Sequence, residues 1–116
     1  MCLNIHDNTK AKIAEKDITV YKHIIALGDG TFETSYQHTE IVIGETYSSK
    51  IKRDPWGIEK ALHSYKNLED AENNSYGEPV IECIIPKGAT YYEGTFINKP
   101  AYASNQLKYV KLYETT

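Results

Sequence analysis

The run Val80–Ile85 constrains the fold more than any other part of the chain. It reads Val-Ile-Glu-Cys-Ile-Ile, so β-branched and apolar side chains occupy both of its faces. A strand of this kind must be covered on both sides, which is typical of the interior of a sheet. The Pro-Lys-Gly sequence at 86–88 then supplies a turn. The sequence therefore predicts a central strand over 80–85.

Most other patterned segments also predict strands. The segment Ile18–Ile25 alternates, with Val20 on one face and Tyr21 on the other. Gly-Asp-Gly at 28–30 predicts a turn into a return strand at 31–36. The further predicted strands cover residues 40–43, 46–47, 90–96 and 107–113. Residues 48–57 carry the composition of a loop.

Helical signals are few. Asn67 suits an N-cap and Asp70 suits the third helical position, which predicts a short acidic helix over Leu-Glu-Asp-Ala-Glu-Asn-Asn. Residues 58–65 fit either a helical turn or a strand. We therefore predict the α+β class, with a compact, mostly antiparallel twisted sheet and one or two short helices. Residues 1–16 are expected to form an N-terminal arm, and residues 17–116 a single domain.

Charge and hydropathy exclude several classes of partner. The net charge is -3, basic residues are evenly spread, and Arg53 is the only arginine. Duplex nucleic-acid binding is excluded because its affinity depends on clustered lysine and arginine. No apolar run approaches the ~20 residues that span a bilayer, and the first residues lack the apolar core of a secretory signal. We predict a cytoplasmic protein with no membrane partner.

Metal and cofactor motifs are absent from the sequence. The two cysteines, Cys2 and Cys83, are far apart and belong to no Cys-x-x-Cys pair. The four histidines are scattered without metal-ligand spacing. Cys83 fits a buried small hydrophobe between alternating isoleucines. No metal and no cofactor are predicted.

Tyrosine dominates the aromatic content, with ten tyrosines against two phenylalanines and one tryptophan. Tyrosine offers rigid contact area with a polar tip, which suits protein interfaces and nucleotide pockets. Tyr109 and Tyr113 share a predicted strand face with Lys111, which favours a surface position. The excess predicts a tyrosine-rich surface or cleft for a protein partner or a small nucleotide-like ligand. It also allows homo-oligomerisation.

Two further segments carry candidate ligand-binding side chains. Trp56 lies in a basic loop, where it could stack on a ligand or cap the edge of the core. His63 lies among small polar and aromatic residues, where it could be functional or structural. The predicted ligand-binding set is Tyr21, Lys22, Trp56, His63, Ser64 and Tyr65.

The segment Glu-Cys-Ile-Ile-Pro-Lys-Gly at 82–88 resembles a strand of the ADP-ribosyltransferases, where an essential glutamate precedes a short apolar run ending in Pro-x-Gly. Tyr21-Lys22 resembles that family's strand ending in Tyr-Arg, and Ser64 resembles its strand serine. The resemblance implies that Ser64 positions the nicotinamide ribose and that Glu82 stabilises an oxocarbenium ion. Lys22 stands where the family has arginine, and lysine lacks the bidentate fork that grips phosphates. Val80 replaces the first acidic or amide residue of the usual pair.

A second resemblance covers more of the chain. The order of Val-Tyr-Lys, Gly-Glu-Thr-Tyr, Leu-His-Ser-Tyr-Lys and Glu-Cys-Ile-Ile-Pro-Lys-Gly resembles small uncharacterised proteins of bacteria and their phages. It implies a compact stand-alone domain and allows a phage origin. The leading hypothesis is a non-enzymatic binding or accessory protein. The alternative is a diverged ADP-ribosyltransferase-like domain, weakly active or reduced to nucleotide binding, with Lys22, Ser64 and Glu82 as its site.

Overall fold

The computed structural model describes residues 3–5, 9–26, 32–34, 40–53, 57–73 and 79–113, which form thirteen strands and one helix. The elements are β1 (Leu3–Asn4), β2 (Lys12–Ile13), β3 (Ile18–Ala26), β4 (Phe32–Thr34), β5 (Glu40–Ile41), β6 (Thr46–Ser48), β7 (Lys52–Arg53), β8 (Gly57–Lys60), β9 (Leu62–Tyr65), α1 (Leu68–Asn73), β10 (Val80–Ile85), β11 (Thr90–Phe96), β12 (Lys99–Ser104) and β13 (Gln106–Tyr113). Among these residues no helix is long and apolar enough to cross a membrane.

The strands form one antiparallel sheet that curls into a half-barrel. Their order is β6-β13-β10-β3-β9-β12-β11-β1-β8-β7, while β2 pairs with β11 and β4 links β3 to β5. The predicted central strand is confirmed, since β10 spans Val80–Ile85 and lies between β13 and β3. Within the predicted arm at 1–16, β1 and β2 both pair with the same neighbour, β11.

The prediction of an α+β class is wrong. The structure is mostly β, with 63% strand and 7% helix, and the described residues hold a single short helix. The predicted helix is confirmed as α1, but its six residues are too few to form a helical layer. The ambiguous segment 58–65 belongs to β8 and β9, and part of the predicted loop forms β7. Lys99–Ser104 is a strand despite its proline and alanines, because pairing with β11 and β9 outweighs local propensity.

Apolar side chains cover both faces of the sheet. On one side, which we call the cysteine face, Val20, Ile81 and Cys83 belong to one buried cluster. On the other side, which we call the histidine face, Tyr65 and Val80 belong to a second cluster that includes a residue of α1. Neighbouring residues of a strand point to opposite faces, so each central strand contributes to both clusters.

The tyrosine side chains that the structure describes are all buried or half-buried. Tyr65, Tyr102 and Tyr109 are buried, and Tyr109 packs edge-on against Tyr47 at 5.2 Å between ring centroids. The predicted surface position of Tyr109 is therefore wrong, because its strand is covered on this face. The other tyrosines whose side chains are described are half-buried: Tyr21, Tyr47, Tyr91 and Tyr92.

Gly94 allows β1 to approach β11 closely. A Cβ atom at this position would overlap the carbonyl oxygen of Asn4 and lie 3.0 Å from Cγ2 of Ile5. We expect Gly94→Ala to lower the free energy of unfolding by about 2 kcal/mol, because backbone must shift to relieve the overlap. Thr95→Ala, at an exposed neighbouring position, should cost about 0.5 kcal/mol or less. Equal losses in urea titrations of the two variants would contradict this account.

The turn between β11 and β12 holds a β-branched residue in a left-handed conformation. Ile97 and Asn98 have φ angles of 50° and 61°, the pattern of a type I′ hairpin. Left-handed backbone costs most L-residues about 1–2 kcal/mol, and asparagine tolerates it better than isoleucine. Ile97 is 58% exposed, so its side chain recovers little by packing.

We therefore expect Ile97→Asn to raise the free energy of unfolding by about 1 kcal/mol. Ile13→Asn is the matched control, because Ile13 is 60% exposed and lies in β2 rather than in a turn. That control should show no gain, since asparagine is disfavoured in strands. A similar gain in both variants by thermal or urea unfolding would show that the effect comes from replacing an exposed isoleucine by a polar residue, and that the turn conformation does not cause it.

Candidate functional site

Strands β3 and β9 bring most of the predicted ligand-binding residues together. Tyr21 pairs with Tyr65 across these strands. Lys22 follows Tyr21 in β3, while His63 and Ser64 precede Tyr65 in β9. Five of the six predicted residues therefore meet at one strand junction. The sixth, Trp56, lies outside the described residues.

The pleat of the sheet divides these residues between its two faces. His63 pairs with Ala103, which belongs to the cluster on the histidine face. Ser64 pairs with Tyr102, which belongs to the cluster on the cysteine face. By the same alternation Tyr21, His63 and Tyr65 share the histidine face. Lys22 and Ser64 share the cysteine face.

Glu82 lies on the histidine face. It pairs with Tyr21 across β10 and β3, and its neighbours Ile81 and Cys83 both belong to the opposite cluster. Lys22 pairs with Ile81 and so points to the cysteine face. The structure therefore separates Glu82 from Lys22 and Ser64 by the thickness of the sheet.

Three consecutive residues of β9 carry buried polar atoms that have no hydrogen-bond partner among the described residues. These atoms are Nε2 of His63, Oγ of Ser64 and the hydroxyl oxygen of Tyr65. The residues are 7%, 0% and 1% exposed. A buried polar group left unsatisfied costs about 1–3 kcal/mol, and native proteins satisfy most such groups. This concentration of unsatisfied groups on one strand distinguishes β9 as a candidate binding site.

His63 is neutral over the physiological range. Burial, followed by the charge of Lys22, lowers its pKa to about 4. The imidazole also hydrogen-bonds to the backbone of Ile58 and Ala61, and these bonds raise its pKa. A hydrogen bond that raises the pKa of histidine is one that the ring donates, so the acceptors are backbone carbonyl oxygens. Because Nε2 has no partner, the donating atom is Nδ1. Nε2 is then an unprotonated acceptor.

Tyr65 keeps its proton and is a donor. Burial, together with the charge of Asp70, raises its pKa to about 12. Its ring lies between those of His23 and Phe96, with centroids 6.3 and 6.1 Å away. These contacts restrict the position of the ring and, with it, the position of the hydroxyl oxygen.

His23 was not in the predicted set, although it completes the histidine face. It follows Tyr21 by two positions in β3, which places both on the same side of the sheet. It pairs with Val80 of that same cluster. Period-two alternation was the signal that could have selected it. The side chains of Tyr21, His23 and Glu82 are half-buried and form the accessible border of the site.

Two cavities elsewhere in the described structure each include a polar lining group that is already paired. One, of about 680 Å³, includes Thr90 and Asn105 in its lining. Oδ1 of Asn105 accepts a hydrogen bond from the backbone N–H of Thr90 at 2.9 Å. The other, of about 660 Å³, is lined in part by Lys12, whose ammonium group lies 3.4 Å from a carboxylate oxygen of Glu93. Neither cavity shows the unmet hydrogen-bonding capacity of β9.

Metal chemistry has no visible basis in the described part of the chain. No three histidine, cysteine, aspartate or glutamate residues there are grouped so that they could hold a metal ion. The arrangement on the histidine face instead presents one buried donor and one buried acceptor.

The low pKa of His63 makes stability depend on pH. Between its native pKa of about 4 and the unperturbed value of 6.5, the unfolded chain binds a proton that the folded protein does not. Stability contributed by neutral His63 is complete above the unfolded pKa and falls as pH drops towards the folded pKa. The loss should reach about 2–3 kcal/mol.

We expect His63→Gln to remove this part of the pH dependence, because glutamine does not titrate. Urea unfolding between pH 7 and 4.5 gives the slope of the free energy of unfolding against pH for wild type and variant. The difference between the two slopes reports His63, because the carboxylates contribute equally to both proteins. Parallel slopes would show that His63 is protonated equally in folded and unfolded protein.

Comparison with known proteins supplies no relative from which a function could be transferred. No family model matches the chain, and the searches of curated proteins and of solved structures found no match either. The functional conclusion therefore rests on the geometry of β9 and its neighbours.

Proposed function

We propose that this is a non-enzymatic binding protein whose site on the histidine face takes a small, neutral, planar ligand. One observation carries the proposal: the Tyr65 hydroxyl and Nε2 of His63 are buried, lie on the same face, and have no hydrogen-bond partner in the part of the chain that the structure describes. Groups held in this state add affinity when a ligand pairs them, because their desolvation has already occurred.

The chemistry of the two groups defines the ligand. Tyr65 donates and His63 accepts, so the ligand must present an acceptor and a donor. Residues two apart in a strand project from the same face of the sheet. The edge of a nucleobase or of a carboxamide-bearing heterocycle carries both an acceptor and a donor. The half-buried rings of Tyr21 and His23 offer flat surfaces for stacking on such a ring.

A small ligand is better supported than a protein partner. None of the tyrosine side chains that the structure describes is fully exposed, so they offer no broad aromatic surface for docking. The ADP-ribosyltransferase alternative gains no support either, since Glu82 does not share a face with Lys22 and Ser64. Homo-oligomerisation and a cytoplasmic location stay predictions from the sequence.

The Tyr65→Phe variant tests the proposal by moving stability and affinity in opposite directions. Without ligand, removal of the unpaired hydroxyl should raise the free energy of unfolding by about 1 kcal/mol. With ligand, loss of the donor should weaken binding about tenfold, the equivalent of about 1.4 kcal/mol. The probes are adenosine, guanosine, cytidine, uridine and nicotinamide, measured by thermal shift and calorimetry.

The matched control is Tyr102→Phe. Tyr102 is also buried, but it lies on the cysteine face and its hydroxyl hydrogen-bonds to Glu93. This variant should lose about 1 kcal/mol of stability and bind the probe as wild type does. Failure of all five probes to bind would overturn the proposal.

A further inference from the structure

Lys22 occupies the middle of an aliphatic surface. In β3 it stands between Val20 and Ile24 on the cysteine face, and it pairs with Ile81 on β10. All three neighbours are fully buried. The side chain of Lys22 itself is only partly exposed. A lysine in such a row is unusual, because burial of an ammonium group is costly unless an anion accompanies it.

No such anion accompanies Lys22 in the described part of the chain. No carboxylate there forms an ion pair with it, and Glu82 lies on the other face of the sheet. The thiol of Cys83 interacts electrostatically with Lys22, and burial raises the pKa of this thiol to about 12. The thiol is therefore protonated and supplies no negative charge. Burial accordingly lowers the pKa of Lys22 and favours its neutral amine.

A second polar group faces the same space. Tyr21 pairs with Tyr65 in antiparallel strands. Lys22, which follows Tyr21, therefore lies beside Ser64, which precedes Tyr65, and both are on the cysteine face. Oγ of Ser64 is fully buried and has no hydrogen-bond partner. Lys22 therefore combines an uncompensated amine, aliphatic walls and a free hydroxyl group.

We propose that Lys22 is a nucleophile that forms an imine with small aliphatic aldehydes. The lone pair of Nζ attacks the carbonyl carbon, and a proton passes from nitrogen to oxygen to give a carbinolamine. Loss of water then leaves a C=N bond between lysine and ligand, with no net oxidation or reduction. The Ser64 hydroxyl lies on the same face and would hydrogen-bond the carbinolamine oxygen, and the neighbouring Val20, Ile24 and Ile81 would favour an apolar chain.

Trapping in the wild-type protein tests this directly. The chain holds twelve lysines, and limiting propanal with sodium cyanoborohydride converts any imine into a stable N-propyl group. Peptide mass spectrometry then gives the labelling rate of each lysine. At pH 7 we expect Lys22 to be labelled at least about tenfold faster than the exposed Lys108, because a neutral amine is the reacting form. The ratio should fall towards one at pH 10.5.

Two controls complete the experiment. Lys22→Arg removes the amine that forms the imine, so the fast labelling should vanish, whereas Lys108→Arg should leave it unchanged. In urea the rates at positions 22 and 108 should become equal, because the preference depends on the fold. Labelling of Lys22 no faster than Lys108 at pH 7 in folded wild type would overturn the proposal, whether or not the variants fold. The proposal does not depend on the ligand of the histidine face, because Lys22 lies on the opposite face of the sheet. Nucleoside binding by Lys22→Arg is measured separately.

Discussion

Covering the sheet on both faces is the constraint on which the rest of the structure depends. β10 places Val80 in one buried cluster and Ile81 in the other, and its neighbour β3 contributes Val20 and Ile24 to the second of these clusters. A polar side chain that lies against either cluster must then be paired, neutralised or left unsatisfied. Both His63 and Lys22 meet this condition by favouring their neutral forms.

The most regular strands could be predicted closely from the sequence. Val80–Ile85 and Thr90–Phe96 match the predicted bounds, because their β-branched and aromatic content agrees with their pairing. The class could not be predicted, because β1, β2 and β7 have only two residues each. Such short strands exist through partners distant in sequence, and a period-two pattern cannot be detected over two positions.

The sequence predicted which residues of the candidate site lie near each other, but it could not predict which of them share a face of the sheet. Tyr21 and the segment 63–65 were selected from residue type, and the structure makes them adjacent. Which residues share a face depends on strand register, and a shift of one residue would exchange the faces. The missing partners of Ser64 and Tyr65 depend on packing in three dimensions. Residue type alone therefore could not separate Glu82 from Lys22.

The position of β1 has a consequence for how the protein folds. This strand lies between β8 and β11, with Leu3 opposite Ile58 and Asn4 opposite Thr95. It can take its place only after β8 and β11, which both lie far along the chain, have formed. Loop-closure entropy makes such distant pairings slow. We infer that closure of this seam is a late folding step, during which the facing edges of β8 and β11 stay open to pairing with other chains.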